Sequence, residues 1–239
     1  MPAEPLILHL ETATNVCSVA ISQGAHMLTV RESAEDRSHG TLLTVFVKEV
    51  LKETGKHADQ LDAVAISKGP GSYTGLRIGV SAAKGIAYAQ NIPVIGILTL
   101  QSMTLTALEN QEVRQLQQEH PGLLFCPMID ARRMEVFSAV YDDRMKETVP
   151  VSAVIVEENS FGKVLDQHHI VFFGNGADKI RGTIRHENAH FINGIEPSSK
   201  QMIPLALAAY EKQQFEDTAY FEPFYLKDFI ATIPKKKVL

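Results

Sequence analysis

A glycine-rich segment, Gly69-Pro70-Gly71-Ser72-Tyr73-Thr74-Gly75-Leu76-Arg77, follows an apolar run and opens a helical pattern. Free backbone N–H groups at a helix N-terminus can bind a phosphate or another anion, and nearby hydroxyl and guanidinium groups strengthen such a site. One interpretation is therefore an anion-proximal or nucleotide-proximal loop that consists of Gly69, Gly71, Ser72, Thr74 and Arg77. The other is a tight turn with Thr74 as N-cap, because the spacing fits neither a P-loop nor the GxGxxG fingerprint.

A second pattern with chemical potential is His186-Glu187-Asn188-Ala189-His190, which matches HExxH. That motif binds zinc only on a helix, where positions i and i+4 share one face. Gly182 before it and Asn193-Gly194 after it leave little room for a helix, and the residues that follow resemble a strand. We therefore expect no zinc site here and rank a metallopeptidase third among the possible functions.

Two further polar segments are interpreted as turns. Asp130-Ala131-Arg132 lies between two apolar runs, which favours a solvated hairpin turn over an acidic catalytic cluster. Gly174-Asn175-Gly176-Ala177 is typical of a strand-to-helix turn. Cys17 and Cys126 are far apart and form no CxxC pair, so we expect two reduced, buried thiols.

Hydrophobic periodicity predicts the elements that must position these residues. In the first half, strands are predicted at 6–10, 16–21, 27–31, 61–67 and 94–98, and helices at 39–53, about 75–89 and 99–118. In the second half, strands are predicted at 123–129, 134–141, 149–156, 170–173 and 190–192, with a polar helical stretch before 170, a helix from 175 and a helix over 201–214. The second half echoes the order of the first, which predicts an α/β protein of two related domains, 1–119 and 120–239, with mixed sheets, flanking helices and a cleft between the domains. The last helix is a candidate to pack back on the N-terminal domain.

The charge balance disfavours direct nucleic-acid capture. The 239 residues include 23 basic and 28 acidic side chains, for a net charge of −5. Nucleic-acid binders usually carry a basic patch or a high isoelectric point. The three lysines Lys235–Lys237 stand at the end of the chain. Residues 85–108 are uncharged over a length that could cross a membrane, but Gln90, Asn91 and Pro93 interrupt them, so we expect a soluble, cytoplasmic protein.

Small residues recur every fourth position in the helix after the glycine-rich turn. Gly75, Gly79, Ala83 and Ala87 form one row, and Ser81, Gly85 and Ala89 form a second. Glycine inside a helix costs up to about 1 kcal/mol relative to alanine, and a close backbone approach commonly offsets that cost. A contact inside the chain explains one row, and the second row makes a contact with another chain plausible.

The motifs together resemble one family. Leu10-Glu11-Thr12-Ala13-Thr14, GPGSYTGLRIGVSAAKG at 69–85, Asp130-Ala131-Arg132, and Gly174-x-Gly176-Ala177 occur in the order found in the bacterial TsaB family, also called YeaZ. This resemblance implies a two-domain actin-like fold of the sugar kinase, Hsp70 and actin (ASKHA) class. It also implies a non-catalytic scaffold and activating subunit of the complex that makes threonylcarbamoyladenosine beside the tRNA anticodon.

The resemblance further implies partners and cofactors. A TsaD-like catalytic paralogue and a TsaE-like ATPase are the expected partners, a homodimer is expected when the chain is alone, and tRNA is contacted only through the complex. No cofactor or metal is expected on this chain alone, whereas ATP and a metal ion are expected on the partner subunits. TsaD carries HxxxH on its first helix, but here Leu43 stands four residues after His39, so the chain is not expected to be an enzyme by itself.

The expected partner surface combines apolar positions of the first long helix with the small-residue helix. Its predicted residues are Leu42, Leu43, Phe46, Val47, Leu76, Gly79, Val80 and Ala83, and Gly79→Glu is expected to abolish pairing in a folded monomer. The alternative function, from a different class, is a nucleotide-binding ATPase or kinase of the actin-like superfamily. The third, noted above, is an M22-type, glycoprotease-like metallopeptidase.

Overall fold

Two five-stranded mixed sheets form the framework of the computed structural model, which describes residues 4–34 and 39–227. The tail Lys235–Lys237 lies outside the described residues. The first sheet contains β1 (Leu6–Glu11), β2 (Cys17–Gln23), β3 (His26–Ser33), β4 (Ala63–Gly69) and β5 (Val94–Leu98). The second sheet contains β6 (Leu124–Asp130), β7 (Glu135–Tyr141), β8 (Glu147–Ile155), β9 (Ile170–Phe173) and β10 (Ala189–Ile192).

The two sheets have the same topology. The first has the order β3-β2-β1-β4-β5, with antiparallel pairs among β1, β2 and β3 and parallel pairs among β1, β4 and β5. The second has the order β8-β7-β6-β9-β10 with the same pair directions. The predicted α/β class is confirmed, and the repeated topology with flanking helices is that of the actin-like fold. The domain limits at 119 and 120 stay a prediction.

Seven α-helices accompany the sheets in the described part of the chain. They are α1 (His39–Glu53), α2 (Tyr73–Gln90), α3 (Thr99–Glu109), α4 (Gln111–Glu119), α5 (Gly162–Leu165), α6 (Asn175–Ile180) and α7 (Ile203–Glu211). Helices α1 and α2 cover one face of the first sheet, with Leu43, Val50, Val80 and Ala83 in its core. On its other face, Met202 and Ala206 pack against Ile7 and Ile95. Helix α3 leaves the first sheet and packs on β6 of the second.

Three sequence predictions about helices were wrong in detail. The helix predicted over 99–118 is two helices, because the Asn110 side chain caps α4 by accepting hydrogen bonds from Glu112 N–H (2.9 Å) and Val113 N–H (3.2 Å). The polar helical stretch before β9 is reduced to the single turn α5. The N-cap of α2 is Ser72 rather than Thr74, since Ser72 Oγ accepts from Gly75 N–H.

None of the helices within the described ranges combines the length and the apolar character that crossing a membrane requires. The uncharged segment 85–108 instead forms the end of α2, a turn, β5 and most of α3. This is the helix, turn and buried strand that the polar interruptions indicate.

Candidate functional site

The glycine-rich turn between β4 and α2 is packed against two other segments of the chain. Gly69 has φ 113°, and a Cβ there would lie 2.8 Å from the Phe224 carbonyl oxygen. A Cβ on Gly71 would lie 2.3 Å from the carbonyl oxygen of Ala13, which also accepts a 2.7 Å hydrogen bond from Ser72 N–H. Glycine is therefore required here for close backbone approach inside the chain.

The polar groups of this turn also have partners within the chain. Ser72 caps α2, and the Arg77 guanidinium lies 4.3 Å from the Tyr73 ring centroid. Arg77 Nε also donates to Tyr225 Oη over 3.4 Å. Thr74 and Arg77 are exposed. The geometry thus gives the turn a packing role, and its use as an anion-proximal loop stays a prediction.

The structure places a buried acid beside this turn that the sequence analysis assigned no role. Glu11 ends β1 and is fully buried, and its Oε1 accepts from Ala13 N–H (2.6 Å) and Ser67 Oγ (2.7 Å). Burial outweighs these donors and raises the pKa of Glu11 to about 7. The available signal was the position of Glu11 directly after an apolar strand predicted over 6–10, which the structure extends by one residue to include it.

The predicted partner surface is only partly at the surface. Five of its residues are buried inside the monomer: Leu43, Leu76, Gly79, Val80 and Ala83. Those residues are corrected here to core positions of α1 and α2. Leu42, Phe46 and Val47 are half-buried and remain available. Gly79→Glu is also unsuitable as a test of pairing, since even a Cβ at Gly79 would lie 2.2 Å from Thr12 Oγ1.

The second row of small residues is the one that faces solvent. Ser81, Gly85 and Ala89 are all exposed on α2, and Tyr88 beside them is 85% exposed. On α1, Val45 is 40% exposed. We call these five residues the α1/α2 outer face.

The HExxH segment is not helical, as expected. Its last two residues lie in β10, and His186 Nε2 is 3.5 Å from Asp166 Oδ1. His190 instead joins His120 and His169, whose rings stack with centroids 3.8 Å apart. Burial lowers the pKa of both His169 and His190, and the neighbouring His120 lowers each further. The members of this cluster come from three separate segments, so no motif or spacing in the sequence predicts it.

Of the two remaining polar turns, the one at Asp130 is solvent-exposed, as interpreted, whereas the other is a strand-to-helix turn in which Gly174, Gly176 and Ala177 are buried. Asp130 is exposed, accepts a hydrogen bond from Arg132 N–H (2.8 Å) and forms an ion pair with Lys179. Asn175, the first residue of α6, accepts from Asp130 N–H over 2.8 Å. Cys17 and Cys126 are free and buried.

Comparison with known proteins assigns the family. The family described as "TsaD: tRNA N6-adenosine threonylcarbamoyltransferase" matches residues 31–235. The Escherichia coli protein named "tRNA threonylcarbamoyladenosine biosynthesis protein TsaB" is 28% identical over 94% of this chain and 96% of its own length. The Haemophilus influenzae protein of the same name is 33% identical over 59% of this chain, and the match spans 56% of that protein.

A solved structure agrees in fold. YeaZ from Pseudomonas aeruginosa superposes with a TM-score of 0.77 at 23% identity, over 93% of this chain and all of that one. The family match covers most of the chain, and the fold is shared over nearly its whole length. This chain therefore belongs to the TsaB (YeaZ) family and carries a TsaD-like domain.

Proposed function

We propose that this chain is a non-catalytic scaffold and activating subunit in the biosynthesis of threonylcarbamoyladenosine in tRNA. In this proposal it pairs with a TsaD-like transferase, and a TsaE-like ATPase joins the pair in the cytoplasm. The observation that carries the proposal is the alignment with the E. coli protein TsaB, which spans nearly the whole of both chains. ATP and the catalytic metal ion are placed on the partner subunits, and tRNA is contacted through the complex.

The first support for a non-catalytic role is helix α1. A TsaD-like HxxxH needs two imidazoles on one helix face, and here the second position is Leu43, which is buried in the core of the first sheet. The remaining imidazole of His39 is buried, and its Nε2 donates to the Thr14 carbonyl oxygen over 2.7 Å. The helix therefore lacks the ligand pair of that motif.

The second support is the hairpin between β6 and β7. A TsaD-like protein is expected to have a glycine-rich phosphate turn there, because glycine tolerates positive φ and lets backbone N–H groups approach a phosphate. In this chain Arg132 (φ 69°) and Arg133 (φ 52°) adopt the left-handed conformation instead. Two residues with Cβ atoms and long side chains therefore stand where that turn would have glycines.

The α1/α2 outer face supports the pairing. Exposed small residues on α2 allow another helix to approach closely, and Val45 with the half-buried Leu42 and Phe46 offers apolar area. The same face would serve the homodimer when the chain is alone, so one substitution should affect both assemblies.

Gly85→Glu tests this proposal. A Cβ at Gly85 meets no other atom within 4 Å, so the variant should fold. In the assembled complex the introduced carboxylate would be buried at the interface without a charge partner, which is strongly unfavourable. We expect loss of co-elution with the TsaD-like protein, loss of the homodimer in size exclusion, and loss of threonylcarbamoyladenosine formation in a reconstituted system. Gly182→Glu is the matched control, because Gly182 is exposed and equally open in the second half of the chain.

Unchanged co-elution of Gly85→Glu would reject this surface. Reconstituted modification that proceeds equally well without the chain would reject the function. The nucleotide-dependent enzyme remains the alternative, and calorimetry of the isolated chain with Mg-ATP separates the two. Tight binding with turnover would favour the ATPase or kinase, and weak or no binding would favour the scaffold.

A further inference from the structure

Three histidines meet at the outer edge of the second sheet. His120 follows the last residue of α4, His169 precedes β9, and His190 lies in β10, which is the edge strand. Each has one ring nitrogen in a group whose atoms all lie within 4.8 Å of one another. All three side chains are half-buried.

The spacing of these nitrogens is close to that of a metal site. His169 Nδ1 and His190 Nε2 are 3.0 Å apart. Two nitrogens bound to a tetrahedral zinc ion at about 2.0 Å are about 3.3 Å apart, so no separation in the group has to close by more than about 1.5 Å. The three rings now stack nearly parallel, with interplanar angles of 18° to 29°. Because the lone pair of an imidazole nitrogen lies in the ring plane, binding also requires the half-buried rings to rotate until these lone pairs converge on the ion.

The backbone beneath the rings is already fixed. The carbonyl oxygen of His120 accepts from Leu123 N–H (3.1 Å), and that of His169 accepts from Leu124 N–H (2.9 Å). His190 is held opposite Val171 in the parallel pair of β9 and β10. The sheet therefore positions His169 and His190, and a turn after α4 positions His120, which lowers the ordering cost of binding.

The surroundings provide access and negative charge. A groove of about 460 Å³ between α4 and β10 is lined by Glu112, Glu119 and His190 among others. Of the three histidines, His190 is the one that lines this groove, so a hydrated cation would reach the cluster from the side of His190. Glu119 is adjacent to His120 in the sequence and lines the same groove as His190.

We propose that His120, His169 and His190 bind a divalent transition-metal ion such as Zn²⁺. Imidazole favours zinc, cobalt, nickel and copper, whereas Mg²⁺ and Ca²⁺ prefer oxygen ligands. The ion would join the end of α4 to the edge strand of the second sheet. This site is separate from α1, and it departs from the sequence-based expectation that the chain holds no metal.

The test uses the full-length chain, freed of any affinity tag and of chelator. The protein is titrated with ZnCl₂ in a calorimeter, and separately with CoCl₂ while visible absorption is recorded. We expect one equivalent per chain, a tetrahedral cobalt spectrum, a higher melting temperature with zinc, and no comparable binding of MgCl₂. His169→Gln and His120→Gln should each weaken zinc binding at least ~10-fold. Circular dichroism without metal verifies their folding, and His190→Gln replaces either variant that fails to fold.

His168→Gln and His186→Gln are the matched controls. His168 is the exposed neighbour of His169, and His186 is the first histidine of the HExxH segment. Both variants should bind zinc as the wild type does. Absence of zinc binding by the wild type, retention by a folded ligand variant, equal loss in a control, or equal binding of Mg²⁺ would overturn the proposal.

Discussion

At the scale of single residues, Glu11 is an ionisable carboxyl group that is fully buried. Its Oε1 has two donors, but its Oε2 has no hydrogen-bond partner among the described residues and is fully buried. Desolvation disfavours the carboxylate, and this effect dominates over the two hydrogen bonds, so the folded protein holds a proton on Glu11 up to about pH 7. The unfolded chain releases that proton near pH 4.5.

Glu11→Gln should therefore change the pH dependence of stability. Between about pH 4.5 and 7 the folded wild type binds more protons than the unfolded chain, so its free energy of unfolding falls as pH rises. The variant keeps the accepting Oε1 and carries no charge. We expect the free energy of unfolding of the variant, relative to that of the wild type, to rise by about 3 kcal/mol from pH 4.5 to pH 7. Above pH 7 this difference should stay constant, and urea unfolding at each pH measures it.

A comparison of variants is needed because His9 acts in the opposite direction. Burial lowers the pKa of His9 to about 3, so that residue makes stability fall as pH drops below about 6.5. This contribution is common to both proteins and cancels in their difference. Glu158→Gln, at an exposed position, is the control and should show no such trend. A difference between Glu11→Gln and wild type that is independent of pH would contradict the prediction.

The sequence predicted features of single residues correctly where neighbouring residues in the chain determine them. It did not predict features that depend on contacts between distant segments. The absence of a helix at the HExxH segment followed from nearby glycines. The partners of Glu11 and the three-histidine cluster depend on contacts between distant segments, such as Ser67 with Glu11, and neither periodicity nor spacing encodes those contacts.

At the scale of elements, α2 shows how the two small-residue rows differ. Gly79 faces the first sheet, where an added Cβ would lie 2.2 Å from Thr12 Oγ1 and 2.8 Å from Ile66 Cδ1. Gly85 faces outward, where an added Cβ meets nothing within 4 Å. The same substitution in the same helix should therefore have opposite effects.

Gly79→Ala should destabilise the fold by about 1–3 kcal/mol, because the extra methyl group overpacks the contact with β1 and β4. Gly85→Ala should stabilise it by about 0.5–1 kcal/mol, because alanine is the better residue in an open helical position. Urea unfolding of the two variants measures both values. Equal effects of the same sign would show that the two rows do not differ in packing.

The elements themselves were largely predictable. The bounds of α1, β5 and β9 match the sequence prediction, since each has a clear pattern and a clear end. The break between α3 and α4 was missed because Asn110 acts as a cap through side-chain hydrogen bonds, while the apolar periodicity runs on across it. The side of α2 that stays exposed could not be predicted, because small residues fit a buried contact and a free surface equally well.

At the scale of the whole molecule, helices cross between the two halves. Helix α7 and the preceding turn 199–202 come from the second half of the sequence, yet they pack on β1 and β5 of the first sheet. Helix α3 follows β5 directly and packs on β6. Met103 of α3 also approaches Gly174, the residue after β9, where an added Cβ would lie 2.5 Å from Met103 Cε. The packing of this last helix on the first sheet is the arrangement that the sequence analysis offered as a candidate, although helical periodicity alone does not select a sheet.

This crossing predicts that the two sheets unfold together. Met202 and Met103 are each fully buried, one against the first sheet and one against the second. Truncation to alanine at either position should cost about 2–5 kcal/mol of the free energy of unfolding through lost burial and a residual cavity.

Hydrogen exchange tests whether this loss is shared by both sheets. Since an element of the second half packs on the first sheet, and α3 connects the two sheets, Met202→Ala should lower amide hydrogen-exchange protection in β1 and β6 by the same amount. Met103→Ala should do likewise, and Met134→Ala, at a 40% exposed position, should leave protection unchanged. Loss confined to β1 in Met202→Ala and to β6 in Met103→Ala would instead mean that each sheet unfolds on its own, and that the crossing helices do not couple them.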